Sequence, residues 1–150
     1  MNDVTTRNAD LRDAAAIAGL SGQLGYPVDE QAIAERLAAL LGRKGTAVFV
    51  AELGGKVVGW AHVVGEQFLE SPPFAELAGL VVDRDTRRLG VGSQLVEACA
   101  QWARDQGCGQ IRVRCNVVRE DAHQFYQKVG FAKLKSQIVF RMDLDGFAPN

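Results

Sequence analysis

The chain has 150 residues, 47% of them hydrophobic and 23% charged, with a formal net charge of -1. That length and composition fit one globular domain with a sizeable core, and the balanced charge excludes any global attraction to nucleic acid or to an anionic membrane. No apolar run approaches the length of a membrane span and the N-terminal residues are polar, so the expected location is cytoplasmic.

Residues 4–8 read as a short strand, and Asp10 supplies an N-cap for a helix in which Ile17, Leu20 and Leu24 recur at helical spacing. Gly25-Tyr26-Pro27 breaks that helix. Asp29 or a neighbour starts another, with Ile33, Leu37, Leu40 and Leu41 on one stripe and Gly42 at its end. β-branched and aromatic residues make Thr46–Leu53 a strand. Gly54-Gly55 then turns the chain into a second strand, Lys56–Val64, on which Trp60 and His62 share a face. After Ser71-Pro72-Pro73 comes a strand over Phe74–Val82, whose Gly79 favours a bulge or a close approach of another backbone or a ligand.

The spacing of Leu95, Cys99, Trp102 and Ala103 predicts an amphipathic helix from about Gly90 to Gln106, closed by Gly107. A strand over Ile111–Val117 follows, and this strand-helix-strand unit predicts a parallel pair with a right-handed crossover. Asp121–Val129 reads as a shorter helix with Ala122, Phe125, Tyr126 and Val129 on one stripe, ended by Gly130. Ile138, Phe140, Met142 and Leu144 alternate with more polar partners, which predicts a half-buried terminal strand. The whole is an α/β domain spanning residues 1–150, with a mixed, mostly antiparallel sheet of about six to seven strands and about four helices.

Cys99, Cys108 and Cys115 are odd in number and lack C-x-x-C spacing, which points to buried reduced thiols. His62 and His123 lie far apart, so no metal is expected.

The stretch from Val82 to Ser93 carries the strongest chemical signal. An apolar strand ends at Val82, Arg84, Arg87 and Arg88 follow, and Gly90 and Gly92 open a helix. A helix N-terminus presents unpaired N–H groups and the positive end of the helix dipole, and glycines let an anion approach the bare backbone. A phosphate cradle is one reading; a helix cap flanked by solvated arginines is the other. A dinucleotide fingerprint would require a third glycine where Leu95 stands, and a P-loop would require a lysine before Ser93. Neither is present.

Arg87-Arg88-Leu89-Gly90-Val91-Gly92 instead resembles the R/Q-x-x-G-x-G/A signature of the GNAT superfamily of N-acetyltransferases. The stretch from Asn116 to Phe131, with Ala122, Phe125, Tyr126 and the closing Gly130-Phe131, resembles that family's second signature. The resemblance implies the acyl-CoA N-acyltransferase fold, in which acetyl-CoA lies between two parallel strands splayed by a bulge, here Phe74–Val82 and Ile111–Asn116. It implies that the backbone of Leu80, Val81 and Val82 meets the pantetheine arm, with Leu80 and Val82 pairing its amides. It further implies that Arg87, Arg88, Leu89, Gly90, Val91, Gly92 and Ser93 hold the pyrophosphate.

The chemistry implied by the resemblance is direct attack of a primary amine on the thioester, through a ternary complex. The amine must lose a proton, the oxyanion needs a donor such as the Leu80 N–H, and the departing thiolate needs a proton. Tyr126 matches the family's thiolate-protonating tyrosine, although its place on an apolar stripe also suits a core residue. Asn116 would bond the cofactor arm, or cap a strand end. Glu76 is the carboxylate expected as general base, on one face with Ala78 and Leu80; a solvent-facing glutamate is the plainer alternative. Relatives often carry acids where Ala78 and Gly79 stand here, a departure that also admits a non-catalytic acyl-CoA-binding or sensing domain. His62 could reach the cleft from the neighbouring strand, although a packed strand histidine is the plainer reading, and a covalent intermediate on Cys115 does not fit direct transfer. The acceptor amine is open between a small molecule and a protein, and the resemblance favours a homodimer.

Overall fold

Strands rich in β-branched residues assemble in chain order in the computed structural model of the protein, which describes residues 3–25, 28–115, 117 and 119–146. β1 (Val4–Asn8), β2 (Thr46–Leu53), β3 (Lys56–Glu66), β4 (Phe74–Val82) and β5 (Ile111–Val113) form one sheet in the order β1-β2-β3-β4-β5. The first four pair antiparallel, whereas β4 and β5 pair parallel, and only from Ala75 opposite Ile111 to Leu77 opposite Val113. The helices are α1 (Ala14–Gly22), α2 (Glu30–Leu41), α3 (Val91–Asp105) and α4 (Glu120–Lys128). The chain divides into two compact units, Met1–Arg114 and Cys115–Asn150. The first contains the sheet with α1, α2 and α3; the second contains α4.

Short polar side chains set the helix starts. Asp10 accepts from the Arg12 N–H, while Asp13 accepts from the Asp10 N–H, closing a capping box on the 3-10 turn (Leu11–Asp13) that leads into α1. Asp29 accepts from the Gln31 N–H at the start of α2, and Gly42 ends that helix.

The sheet is covered on two faces. On one, Ile17 of α1 and Leu37 of α2 pack with Val48 and Val50 of β2, and Trp60 of β3 lies against that cluster. On the other, α3 presses Val91, Leu95 and Cys99 into the sheet, each no more than 1% exposed. A Cβ on Gly59 would stand 3.0 Å from both Leu95 Cδ1 and Val91 Cγ1, so glycine at that position lets α3 approach β3 closely. Fully burying a side chain such as Val50, Val63 or Leu95 contributes about 1.5–3 kcal/mol each.

A charged network sits where β1 meets the helical layer. The Arg7 guanidinium donates to both oxygens of Asp13 at 2.8 Å and, through Nε, to Glu52 at 2.6 Å. Asp13 is 4% exposed, and the Arg7 bond holds its carboxyl below the usual range against the opposing effect of burial.

Three expectations need correction. The sheet has five strands among the described residues, fewer than the six to seven predicted. β5 ends at Val113, well short of Val117, and Val117 lies in a turn. Ile138, Phe140, Met142 and Leu144 form no strand and are 80%, 88%, 60% and 77% exposed. Alternation marks a segment able to bury one face in a sheet, but a strand exists only where a neighbouring edge accepts its backbone hydrogen bonds.

Candidate active site

β4 is interrupted where the sequence carries Ala78-Gly79. β3 pairs Val64 with Glu76 and Val63 with Leu77, but His62 with Gly79, so exposed Ala78 is an extra residue on β4. This bulge changes which backbone groups reach the far edge of β4. The Ala75 N–H donates to Gln110 O on the β5 side, whereas the Asp83 N–H donates to Val58 O on the β3 side. Counting back from Asp83 in steps of two, Val81 faces β3, and Leu80 and Val82 turn their N–H and C=O groups to the opposite edge. Pairing with β5 stops at Leu77, so beyond that point this edge of β4 has no strand partner among the described residues. An extended amide-bearing ligand would find there the hydrogen-bonding groups of a missing strand.

The same bulge corrects the facing of Glu76. Paired residues in an antiparallel sheet share a face, so Glu76 lies with Val64, His62, Trp60 and Gly79, and not with Leu80 as simple alternation predicts. Its Oε1 is 2.8 Å from Arg114 Nε, an ion pair joining β4 to the residue just after β5. His62 points elsewhere. Thr46 spends its one hydroxyl proton on Val63 O at 2.9 Å, so its oxygen accepts from His62 Nε2–H at 2.8 Å. That bond turns the ring toward β2, away from the open edge of β4. Burial pushes the His62 pKa down and keeps the imidazole neutral. The packed strand histidine of the sequence reading is the arrangement found.

At the end of β4, Asp83 accepts from the Asp85 N–H and roots a loop through a single 3-10 turn, Arg84–Thr86. Arg87 and Arg88 are exposed, and Arg88 has a φ of 76°, the one non-glycine residue with positive φ among those described. Gly90 follows with φ 84° as the N-cap of α3, and no side chain caps that helix. The first intrahelical bond runs from the Gln94 N–H to Gly90 O, so the N–H groups of Val91, Gly92 and Ser93 have no partner within the helix. Positive φ at Arg88 and Gly90 beside an uncapped helix start leaves backbone N–H donors of the kind that hold phosphate. A side chain at Arg88 in this conformation costs on the order of 1–2 kcal/mol, strain characteristic of functional loops.

Tyr126 lies in the second unit, on α4. Its ring meets Phe125 and Phe131 edge-on, with centroids 5.3 and 5.6 Å away. Burial, reinforced by Cys115, raises its phenol pKa, so the hydroxyl keeps its proton and can donate it. Asn116 lies outside the described residues, as do Tyr26 and Pro27, which come between α1 and α2 in the sequence. Cys99 is fully buried and its thiol is pushed up to about 12, an inert core residue as expected. Among the described residues no cluster of His, Cys, Asp or Glu is arranged to hold a metal ion, and no helix is long and apolar enough to cross a membrane.

Two features escaped the sequence reading. Trp60 lays its ring on the backbone of Gly79, with Nε1 buried and without a hydrogen-bond partner. Arg114 engages Glu76. The first had a signal in the large side chain placed two residues before His62; the second depends on where β5 ends.

Comparison with known proteins agrees with this geometry. The profile of the Acetyltransferase (GNAT) family matches residues 15–131. Aminoglycoside N(6')-acetyltransferase type 1 of Stenotrophomonas maltophilia is 31% identical over 145 residues, 94% of this chain and 94% of that protein. N-acetyltransferase 8 of Homo sapiens is 35% identical over 97 residues, 62% of this chain and 41% of that longer protein. Among solved structures, aminoglycoside N-acetyltransferase AAC(6')-Iy in complex with CoA superposes with a TM-score of 0.86 at 22% identity, over 95% of this chain and 96% of that one. The same enzyme bound to the bisubstrate analog CoA-S-monomethyl-acetylneamine gives 0.85 at 22% identity, over 94% and 99% of the two chains. The family match across residues 15–131 and the full-length likeness to a named acetyltransferase establish that this chain belongs to the acetyltransferase (GNAT) family and is an acetyl-CoA-dependent N-acetyltransferase.

Proposed function

We propose that the chain transfers the acetyl group of acetyl-CoA directly to the primary amine of a small molecule, with both substrates bound together. The observation that carries this reading is the strand-free edge of β4 at Leu80–Val82, followed along the chain, after the loop 83–90, by the uncapped N-terminus of α3. The Leu80 and Val82 backbone would pair the pantetheine amides, with Val81 between them turned to β3. The N–H groups from Arg88 to Ser93 and the guanidinium groups of Arg87 and Arg88 would hold the pyrophosphate.

On this reading the amine nitrogen, once neutral, attacks the thioester carbon. The carbonyl oxygen takes up negative charge and the Leu80 N–H donates to it. Collapse of the tetrahedral species breaks the carbon–sulfur bond, and Tyr126 supplies a proton to the thiolate. Glu76, held at Oε1 by Arg114, takes the ammonium proton through water at its other oxygen before attack, and the proton lost from nitrogen as the amide forms restores the Tyr126 hydroxyl. Asn116 keeps the role assigned from the second signature, a bond to the cofactor arm. No metal enters this scheme. Residues 1–150 are assigned to one catalytic domain because both family signatures lie within them in the sequence. A cytoplasmic location and a homodimer belong to the same reading, and cell fractionation and light scattering test them.

Support for a small-molecule acceptor comes from the aminoglycoside acetyltransferase relative at 31% identity. Thiol release from acetyl-CoA across aminoglycosides, polyamines, amino acids and lysine peptides tests the proposal. Saturable release with a small amine, with the acetylated amine recovered, is expected. Release confined to peptides overturns the acceptor class. Binding of acetyl-CoA with no turnover on any amine overturns the transfer itself.

A further inference from the structure

The loop that follows β4 is held at its root by a residue from the other end of the sequence. Gln23 caps the C-terminus of α1, its own N–H bonding Leu20 O at 3.1 Å. Its side-chain amide reaches across to the loop in two directions. Nε2 donates to Asp83 Oδ1 at 3.3 Å, and Oε1 accepts from the Arg84 N–H at 3.1 Å. Asp83 is 6% exposed and is the hub of the turn. Its N–H bonds Val58 O, its carboxylate accepts from the Asp85 N–H, and its carbonyl accepts from the Thr86 N–H and hydroxyl.

Past Asp83 the loop has little else to hold it. Among the described residues, the bond from Arg84 to Gln23 is the one hydrogen bond that links residues 84–89 to another element; the Leu89 N–H bonds Thr86 O within the loop. The loop nevertheless must keep Arg88 in a left-handed conformation and deliver Gly90 to the start of α3. Gln23 also stands two residues before Gly25, where α1 gives way to the turn toward α2. It lines a cleft of about 690 Å³ together with Asp83, Lys56 and Arg7, so the amide bridges an opening and is not embedded in a packed core.

We propose that Gln23 is a positioning residue for the cofactor: by bonding Asp83 and Arg84 together it fixes the root of the pyrophosphate loop against the end of α1. This rests on the reading that residues 88–93 bind acetyl-CoA. The two hydrogen bonds act on the loop, not on the reacting atoms, so their loss weakens cofactor binding and leaves the chemical step intact.

The test uses residues 1–150 intact and CoA itself as probe. Isothermal titration of wild type with CoA comes first, and absence of binding there refutes the cofactor site without reference to Gln23. Gln23→Met preserves the length and much of the volume of the side chain but makes neither bond. It is expected to raise the Kd for CoA and the KM for acetyl-CoA about tenfold, with kcat at saturation within about twofold of wild type. Gln23→Glu retains an acceptor for the Arg84 N–H but sets a carboxylate against Asp83, and weaker CoA binding is again expected. It decides the matter if the methionine variant does not fold. Wild-type affinity in a folded variant, even with a lowered melting temperature, overturns the proposal. So does a loss confined to kcat.

Discussion

The ring of Trp60 occupies the space in which a side chain at Gly79 would lie: a Cβ built there stands 2.7 Å from Trp60 Cζ3 and 2.8 Å from Cη2. The bulge of β4 and the indole on β3 are therefore one steric unit, and a carboxylate at position 79 is incompatible with the tryptophan in its present place. Gly79→Ala is expected to destabilise the protein by about 1–3 kcal/mol, as overpacking does. Trp60→Leu in the Gly79→Ala background should recover most of that loss. Urea unfolding of the two single variants and the double variant measures the coupling, and strict additivity of the two losses would contradict it.

Arg88 pairs a strained backbone with a role for its side chain. Arg88→Gly relieves the positive φ of 76° and is expected to stabilise the fold by about 1 kcal/mol. The same change removes a cation from the proposed pyrophosphate site, so the KM for acetyl-CoA should rise about tenfold. Thermal unfolding and initial rates, taken on one preparation, test both halves. A variant less stable than wild type would show that the left-handed conformation costs nothing.

Tyr126→Phe removes the hydroxyl and retains the ring that meets Phe125 and Phe131. With Tyr126 in its proposed role as proton donor to the thiolate, loss of the hydroxyl should lower kcat by about 100-fold with the KM for acetyl-CoA within about twofold. Burial raises the phenol above its ordinary pKa of 10.0, so the wild-type kcat should show no decline from loss of this proton between neutral pH and that value. Turnover by the phenylalanine variant equal to wild type would return Tyr126 to a packing role.

His62 makes stability depend on pH. Its pKa lies below the ordinary 6.5 in the folded chain because burial disfavours the charged ring. The unfolded chain therefore binds the proton first as pH falls. Stability is fully present above about 6.5 and declines as pH drops toward the folded value. His62→Gln should flatten that decline. Urea midpoints for wild type and variant across this range decide it, and superimposable pH profiles would remove His62 as the cause.

Much of this was legible in the residues. The limits of β4 at Phe74 and Val82 follow from an apolar run between Ser71-Pro72-Pro73 and the arginine loop, and the structure keeps both. Local chemistry also marked the starts of α2 and α3 to within a residue or so, through Asp29 or a neighbour and the glycines at 90 and 92. What failed was non-local. Simple alternation put Glu76 on the face of Leu80, but the extra residue Ala78 reverses that parity, and a bulge is marked in sequence only by a permissive glycine. The alternation of Ile138, Phe140, Met142 and Leu144 was genuine, yet nothing in those residues says whether an edge receives them. The Gln23 bridge spans sixty positions between polar residues of ordinary type, and no local pattern announces it.

Two-substrate initial-velocity kinetics, with the best amine of the panel varied against acetyl-CoA, tests the central claim most directly. Direct transfer between substrates held together on β4 and the N-terminus of α3 predicts reciprocal plots that intersect, with one CoA thiol released for each acetylated amine. Parallel lines, the mark of an acetyl group parked on the protein before the amine arrives, would contradict it.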